Sequence, residues 1–490
     1  MNLLYHKYKY YPYERELALR EVTALIGDKL VTEIEDGFVV PADTDISRLV
    51  YFSKAASGSS TTETIQARLE RAAKTGTNRQ ATRYSVHGLH EYKGKFNPQV
   101  AKAILNIFGI TPGANVLDPF CGSGTSLVEC TQIGAVGTGI DINPLAVFIA
   151  NAKLRALATP ASVLHGVFDK IERRLWDATP FSDKTSPERD DYLASWFLPE
   201  QLSKIERVRG LIELEGGDCR AVLLTIASNL LRDYSMQDPG DLRIRRRTSP
   251  MPDEDFRTAF MRACRAFSEK LAEAQKVVGV IPSSSAALLG SSVSGLEVGR
   301  TAQFDAAITS PPYAMALPYI DTQRLSLVWL GLLPASRILG LESELVGSRE
   351  LRGNARKTLV AAMHDNTASI PVEQHALCTS LQEKLTASDG FRRKAVPILL
   401  YRYFCDMLHA FRNIQTMMKR NAPFALIVGH NHTNLGGARQ DIDTPHHLSS
   451  IALMAGWRLE EQLPLQTYRR YGYHSSNAVG AETLIILRNS

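Results

Sequence analysis

Apolar and polar positions along this chain alternate between short apolar runs, typical of buried strands, and stretches with helical spacing. The clearest junction lies at residues 116–125, VLDPFCGSGT, where an apolar pair ends at Asp118 and a turn with Gly122 and Gly124 follows. Glycines at such a junction let a ligand approach the main chain, and a helix start offers free N–H groups. The stretch therefore predicts a strand, a turn and a helix around a nucleotide-sized ligand.

The segments after this turn continue the alternation. Residues 127–133 and 143–157 have helical spacing, and between them the strand-like run 135–140 ends at Asp141. Together they predict a βαβ unit. An acid at the end of the second strand lies about where a carboxylate meets a ribose. Asp141 and the glycine turn are therefore predicted to form one cofactor site.

The N-terminal part is more polar. Tyrosines and lysines alternate in residues 5–11 and precede a predicted helix that ends near residue 27. They could stack on bases or dock on their own domain, and docking is favoured because Tyr packs well at half-buried surfaces. Residues 31–50 suggest a short hairpin. Residues 53–83 suggest a surface connection around a helix at 62–73.

After residue 157 the strand and helix alternation is interrupted and later resumes. A mainly helical insertion is predicted at residues 158–280, with helices at 199–215, 220–234 and 255–278. Later strands are predicted at residues 286–290, 304–309 and 424–429, with a helix at 401–418 and another that ends near 456. Residues 457–465 and 483–487 are predicted to pair antiparallel and to close the sheet.

Composition changes this picture little. The chain has 490 residues and a formal net charge of +5, which permits a polyanionic partner without requiring one. The N-terminus lacks an apolar signal core, and no apolar run approaches the ~20 residues that a membrane span needs. We therefore expect a cytoplasmic protein without a membrane partner.

No metal site is predicted. The six cysteines are scattered without a CxxC pair or zinc-like spacing, which is typical of reduced, buried thiols. His430 and His432 follow a predicted strand without a carboxylate partner, which favours ordinary loop histidines. His446 and His447 are predicted to begin a helix.

A second motif, SPPY at residues 310–313, follows the strand at 304–309. Because the carboxyl ends of neighbouring strands face one crevice, this motif, Asp118 and Asp141 are expected to converge. The prolines stiffen the loop, and the carbonyls before them form a fixed acceptor array with the Ser310 hydroxyl. Such acceptors suit the exocyclic amino group of a base, because they strengthen as positive charge develops on its nitrogen. Tyr313 offers a flat face for stacking.

Together, residues 118–125, DPFCGSGT, and residues 310–313 resemble the S-adenosylmethionine-dependent DNA amino-methyltransferases, which methylate N4 of cytosine or N6 of adenine. Residues 90–98, HEYKGKFNP, are similar to the segment before the first strand of these enzymes. The resemblance covers residues 84–157 and 285–330 well, and the C-terminal strands loosely. It implies an α/β fold: a Rossmann-like, doubly wound, mostly parallel sheet with an antiparallel C-terminal hairpin and helical insertions.

The resemblance also implies two sets of site residues. The set for S-adenosylmethionine is Phe96, Asp118, Pro119, Phe120, Gly122, Ser123, Gly124, Thr125, Asp141 and Ile142. The set that grips the target base is Ser310, Pro311, Pro312 and Tyr313. The sequence departs from the family at residues 290–292, GSS, where an acid often follows the glycine. The residue that contacts the amino group of the cofactor's adenine is therefore not predicted.

A base inside a duplex is out of reach, so a double-stranded DNA substrate requires the base to be flipped out. Basic insertions suit that step because they hold phosphates. Four arginines are candidates for DNA contact or for a solvated loop: Arg243, Arg245, Arg246 and Arg247. Two further basic groups lie at residues 349–357 and 392–394.

The chain accordingly divides into six predicted parts. They are an N-terminal accessory region (1–83), the cofactor-binding half of the methyltransferase domain (84–157), a helical insertion that suits DNA recognition (158–280), the catalytic half (281–334), a second insertion that suits target recognition (335–396), and the C-terminal part of the sheet (397–490).

Ser310 favours cytosine N4 as the target, because adenine enzymes of this family more often carry Asp or Asn at that position. The alternatives, in order, are an N6-adenine DNA methyltransferase, an RNA methyltransferase acting on guanine N2, and a non-enzymatic DNA-binding component that senses the cofactor. A role in restriction-modification is expected, which is compatible with a partner restriction nuclease. The oligomeric state is left open.

Overall fold

The computed structural model describes residues 1–73, 80–92, 94, 96–177, 186–295, 303–315, 320–466 and 481–490. Its N-terminal part contains a five-stranded antiparallel sheet in the order β2-β3-β1-β4-β5. The elements are β1 (Asn2–Tyr5), α1 (Pro12–Ile26), β2 (Thr32–Ile34), β3 (Gly37–Val39), β4 (Phe52–Ser57), β5 (Ser60–Glu63) and α2 (Ile65–Ala72). The hairpin predicted within residues 31–50 is confirmed as β2 and β3.

Two N-terminal predictions have different outcomes. The expected surface connection after residue 53 is wrong in its first part, where β4 and β5 form a hairpin. Most of β5 is exposed, so its sequence lacks the apolar alternation of a half-buried strand. The docking of the tyrosines on their own domain is confirmed, because the ring of Tyr5 stacks on Phe52 at 5.4 Å and the Tyr10 hydroxyl donates to the Tyr51 carbonyl.

A seven-stranded sheet forms the centre of the chain. Its first half contains α3 (Pro98–Ile107), β6 (Asn115–Asp118), α4 (Thr125–Gln132), β7 (Val136–Asp141) and α5 (Pro144–Leu157). The predicted βαβ unit is thereby confirmed. The Oδ1 of Asn143 accepts a hydrogen bond from the Leu145 N–H at 3.0 Å and caps α5, whose first residue is a proline.

Helices fill most of residues 158–280, as predicted. They are α6 (Ala161–Arg174), α7 (Pro187–Trp196), α8 (Pro199–Glu215), α9 (Arg220–Leu230) and α10 (Phe256–Val278). Their apolar faces share one core with α5, in which Phe260 and Ile149 are both buried. The arginine run at residues 243–247 contains no strand. The run has a single antiparallel bridge, between Gln237 and Arg246.

The rest of the chain completes the sheet and adds a second helical segment. Its elements are β8 (Ala286–Leu289), β9 (Ala306–Thr309), α11 (Arg324–Trp329), α12 (Ile338–Glu344), α13 (Ala355–Asp365), α14 (Val372–Glu383), α15 (Phe391–Lys394), α16 (Val396–Met417), β10 (Pro423–Gly429), β11 (Asn431–Leu435), β12 (Ala438–Ile442), α17 (Thr444–Met454), β13 (Trp457–Gln466) and β14 (Ala481–Asn489). The hairpin of β11 and β12 is a small separate sheet that the sequence did not predict. Short 3₁₀ helices lie at Asp28–Leu30, Gly217–Cys219, Ile320–Thr322 and Ala335–Arg337.

The strand order of the central sheet is β8-β7-β6-β9-β10-β14-β13. Neighbours from β8 to β10 pair in parallel, whereas β14 pairs antiparallel with both β10 and β13. The chain thus winds outward from β6 in one direction and continues from β9 in the other. This is a doubly wound, Rossmann-like sheet with its switch point between β6 and β9, and it confirms the predicted fold class and the antiparallel C-terminal pair.

The central strands are buried on both faces. All seven residues of β10 are buried. Alternate side chains pack on opposite layers: Ile427 faces the core shared with α1 and α3, and Leu426 faces the core shared with α16. Burial on both faces explains why these strands read as continuous apolar runs in the sequence.

The predictions on membrane-spanning segments and on the cysteines can be compared with the described residues. None of their helices is both long and apolar enough to cross a membrane. All six cysteines have free thiols, and five of them are buried.

Candidate active site

The three predicted chemical groups converge at the switch point of the sheet. Asp118 is the last residue of β6, Asp141 is the last residue of β7, and Ser310 directly follows β9. Because these strands are parallel neighbours, their carboxyl ends open on the same edge. The structure therefore brings the glycine turn and the SPPY loop together, as the sequence predicted.

Asp118 links the two loops. Its Oδ1 accepts hydrogen bonds from the Thr309 hydroxyl at 2.7 Å and from the Phe120 N–H at 3.2 Å, and its Oδ2 accepts one from the Ser126 hydroxyl. Burial raises the pKa of this carboxyl to about 6, although these hydrogen bonds act in the opposite direction. Thr309 was missed by the sequence reasoning, because only the pairing of β6 with β9 places it beside Asp118.

Asp141 holds the glycine turn from the other side. Its Oδ2 accepts a hydrogen bond from the Gly122 N–H at 2.9 Å, and its Oδ1 accepts one from the Asn143 N–H at 2.8 Å. Burial of the carboxyl raises its pKa to about 6. A carboxylate accepts more than two hydrogen bonds, so Asp141 keeps acceptor capacity for a bound hydroxyl.

The turn itself depends on glycine at two positions. Gly122 and Gly124 have φ of +48° and +76°, a region that side chains with a Cβ rarely adopt. A Cβ on Gly124 would also lie 2.7 Å from the Cβ of Ala150 on α5. Glycine at these two positions therefore allows the turn to adopt this conformation and to expose its main chain.

Lys153 is a further residue that the sequence reasoning missed. It is fully buried on α5, and its Nζ donates to the Ser123 carbonyl at 2.8 Å and to the Ser123 hydroxyl at 3.0 Å. A lysine on the apolar face of a predicted helix was the available signal, because a buried charge requires partners. Lys153 fixes the middle of the glycine turn.

The SPPY loop is held at both ends. The Ser310 hydroxyl donates to the Ile427 carbonyl of β10 at 3.2 Å, and the Tyr313 hydroxyl donates to Glu482 Oε1 of β14 at 2.6 Å. Pro311 is buried and Pro312 is half-buried. The half-buried Tyr313 ring therefore has an orientation set by the antiparallel strand of the sheet.

The atypical segment GSS lies beside the same turn. The Gly290 N–H donates to the Asp141 carbonyl at 3.0 Å. The Ser292 hydroxyl, which is buried, donates to the Pro119 carbonyl. The segment thus contributes hydroxyl groups at the position where the family often has an acid.

The remaining predicted cofactor residues surround the turn. Pro119 and Thr125 are buried, and Phe96, Phe120 and Ile142 are half-buried. Half-buried apolar side chains are available for contact with a ligand. The predicted roles of these residues stay predictions.

Tyr92 lies closer to the turn than its position in the sequence suggests. A Cβ on Gly122 would lie 3.2 Å from Cε1 of the Tyr92 ring. Burial, and the nearby Asp141 carboxylate, raise the pKa of Tyr92 well above its usual range, so the phenol stays neutral. Its neighbour His90 is also neutral at physiological pH, because burial lowers its pKa to about 4.

Most of the first arginine group has protein partners. Arg245 forms an ion pair with Asp241 at 3.0 Å, and Arg246 lies over the Trp196 ring at 5.3 Å. Arg247 contacts the Met251 sulfur at 2.9 Å. Arg243 is exposed.

One group of metal-ligating side chains lies away from this site in the described part of the chain. The ligand atoms of Glu373, His446 and His447 lie within 4.8 Å of one another. His446 Nε2 lies 2.9 Å from Glu373 Oε1, and His447 Nδ1 lies 2.9 Å from Gln374 Nε2. His446 and His447 lie in the first turn of α17, where the sequence predicted a helix start. Both histidines thus have protein partners in this arrangement.

Comparison with known proteins agrees with this geometry. Residues 89–185 match the family model described as RMKL-like, methyltransferase domain. The resemblance to methyltransferases is confirmed. S-adenosylmethionine, the methyl donor predicted from the two motifs, fits these matches.

Three curated relatives show the extent of the similarity. The type II methyltransferase M.MjaII of Methanocaldococcus jannaschii is 47% identical over 70 residues, which are 14% of this chain and 13% of that protein. The type II methyltransferase M.BsoBI of Geobacillus stearothermophilus is 24% identical over 281 residues, which are 50% of this chain and 53% of that protein. The tRNA (guanine(10)-N2)-dimethyltransferase of Methanothermobacter thermautotrophicus is 38% identical over 52 residues, 11% of this chain and 16% of that protein. The chain therefore spans about half or less of the length of these relatives.

Proposed function

We propose that this chain transfers a methyl group from S-adenosylmethionine to an exocyclic base amine in DNA, most favourably N4 of cytosine. The observation that carries the proposal is the convergence of the glycine turn with the SPPY loop, which the buried contact between Asp118 and Thr309 joins. One edge of the sheet thus offers a place for the methyl donor and a polar, aromatic place for its acceptor.

The residues of the first motif suit the methyl donor. The glycine turn exposes its main chain, and Asp141 keeps acceptor capacity for ribose hydroxyls. Ile142, which follows it, is half-buried and suits contact with the adenine ring. S-adenosylmethionine supplies an electrophilic methyl group. The protein's task is to hold that group in line with the acceptor nitrogen.

The residues of the second motif suit the acceptor base. The Ser310 hydroxyl directs its hydrogen to the Ile427 carbonyl, which leaves the Ser310 oxygen as an acceptor for an amine N–H. The Tyr313 ring, oriented by Glu482, offers a face on which the base can stack. Acceptors around the nitrogen stabilise the positive charge that develops there during transfer.

This geometry requires no protein nucleophile. A mechanism through C5 of cytosine would need a reactive cysteine, and a thiolate is the reactive form. Burial raises the pKa of Cys121, the cysteine inside the glycine turn, well above its usual range and keeps it a thiol. Direct attack by an exocyclic amine is therefore the reaction that the site favours.

DNA is favoured as the substrate by two type II methyltransferases among the relatives, one of which matches half of this chain. The tRNA relative supports the RNA alternative over a shorter segment. A duplex target would be flipped out at a cost of a few kcal/mol. The same relatives support a role in restriction-modification. Such a role is compatible with a partner restriction nuclease.

The test is transfer of a labelled methyl group to unmodified duplex DNA, followed by digestion to nucleosides. We expect N4-methylcytosine; N6-methyladenine would support the proposed activity but reject the preferred base.

The double variant Ser310→Ala, Tyr313→Ala should lose transfer while it still binds S-adenosylmethionine. Tyr313→Phe keeps the ring and serves as the matched control with partial activity. Transfer to tRNA but not to DNA would reject a DNA substrate.

A further inference from the structure

The second inserted segment is anchored directly on the loop that follows SPPY. Gly347 has a φ of +74°, and a Cβ there would lie 2.2 Å from the Tyr313 carbonyl oxygen. Two residues later, Arg349 donates to the Met315 carbonyl from Nε at 3.0 Å and from Nη2 at 2.7 Å. Met315 has a φ of +58°, which is strained for a residue with a side chain. Arg349 therefore lies at the target-base loop and holds its backbone.

Arginines from both insertions lie close enough to Arg349 to interact with it electrostatically. Partial desolvation lowers the pKa of Arg349, and the positive charges of Arg392 and Arg243 lower it further. Arg392 lies on α15 in the second inserted segment, and Arg243 follows α9 in the first. Among the described residues, neither Arg243 nor Arg392 forms an ion pair with a carboxylate. Like charges that lie close to one another repel, and a bound polyanion would relieve that repulsion.

An exposed aromatic side chain lies next to this group. Phe391 precedes Arg392 and is 76% exposed, and the guanidinium of Arg356 lies 4.9 Å from the centre of its ring. Exposure of a large apolar ring to water is unfavourable, and contact with a ligand would remove that apolar surface from water. Aromatic rings beside arginines are the combination that stacks on bases while phosphates are held.

We propose that Arg243, Arg349 and Arg392 bind the DNA phosphate backbone next to the target base and that Phe391 stacks on a base beside it. This arginine cluster rests on the proposed function, because it assumes a DNA substrate. It also changes the predicted contact residues. Arg243 belongs to this cluster, whereas Arg245, Arg246 and Arg247 contact Asp241, Trp196 and Met251, respectively, and are not part of it.

Phosphate contacts are independent of base sequence, so a mixed-sequence duplex is a sufficient probe. Its binding to the full-length protein is measured by fluorescence anisotropy over a range of salt concentrations. The variant Arg243→Ala, Arg392→Ala leaves the loop anchor Arg349 intact. We expect its affinity at low salt to fall about tenfold or more and the slope of log K against log salt to become shallower by about 1.8. Phe391→Ala should lower affinity about fivefold or more.

The matched control is Arg71→Ala, Arg262→Ala, which removes the same charge from two exposed arginines. These are paired with Glu63 and Glu254, respectively. A salt slope in the test variant equal to that of the control would overturn the arginine cluster, and an unchanged affinity in Phe391→Ala would overturn its stacking role. In either case, methyl transfer to DNA by the wild-type protein would leave the proposed function standing. A wild-type protein that binds S-adenosylmethionine but neither binds nor methylates DNA would reject both.

Discussion

The Thr309 hydroxyl donates a hydrogen bond at 2.7 Å to Asp118 Oδ1 across 191 positions of sequence, and both side chains are buried. Asp118 begins the turn that contains the glycines, and Thr309 is the last residue before Ser310. A displacement of either loop would therefore lengthen this one contact. The distance between the two halves of the site is set by the pairing of β6 with β9 and secured by this hydrogen bond.

Thr309→Val should loosen that connection. Valine keeps the shape of threonine but cannot donate, so Asp118 loses one of its three donors inside the protein. We expect the free energy of unfolding to fall by about 1 to 3 kcal/mol, measured by urea denaturation, and methyl transfer to fall with it. Thr138→Val, at a half-buried position on neighbouring β7, is the control and should cost less. Equal losses in both variants would show that the contact has no special role.

The affinity for S-adenosylmethionine should depend on pH through Asp141. Because its pKa is raised to about 6, the carboxyl is protonated below that pH and a poorer acceptor for ribose hydroxyls. Affinity measured by calorimetry should therefore rise between about pH 5 and 7 and then level off. Asp141→Asn should bind more weakly and lose most of this rise.

Asp305→Asn is the control for that measurement. Hydrogen bonds from Lys419 and the Asn115 N–H hold the pKa of Asp305 below its usual range despite desolvation, so it stays ionised throughout the window. Its removal should leave the pH profile unchanged. A flat profile in the wild-type protein would contradict the proposed role of Asp141.

The raised pKa values of Asp118 and Asp141 also affect the stability of the folded protein, and in the direction opposite to the effect of Asp141 on cofactor binding. In the unfolded chain the two carboxyls release their protons near the ordinary value of 3.8, whereas the folded protein retains them up to about pH 6. The stability that they contribute is fully present below about pH 4 and is lost as the pH rises to about 6. Binding of the cofactor and folding therefore shift in opposite directions across this interval.

Gly347→Ala should separate cofactor binding from catalysis. The added methyl group would press on the Tyr313 carbonyl, so the loop that we propose holds the target base must move. We expect a loss of transfer rate of about tenfold or more, with nearly unchanged affinity for S-adenosylmethionine, since misplacement by ~1 Å can cost about a hundredfold. Gly331→Ala controls for backbone strain, because Gly331 has a φ of +69° but nothing within 4 Å of its Cβ position. If both variants lost activity equally, strain alone would explain the effect.

Local pattern was sufficient for the main elements. A continuous apolar run that ends in an acid and a glycine turn predicted β6, its turn and α4, and the same reasoning found β7, α5, β9 and β10. It failed for β5 and for the hairpin of β11 and β12, because these exposed or half-buried strands lack the apolar pattern that is typical of a buried strand. The arginine run shows a further limit of local pattern, because identical residues at neighbouring positions have different partners in the folded chain. Their contact with DNA stays a prediction.

The sequence by itself therefore determined the short motifs from which the site and its chemistry are predicted: the glycines, Asp141, and the order Ser310 to Tyr313. Only the tertiary structure decided which distant residues support them, because Thr309, Lys153 and Arg349 reach the site through strand pairing and helix packing over long separations. A buried polar side chain is satisfied by whichever partner the fold places beside it, and no local spacing in the sequence encodes that choice.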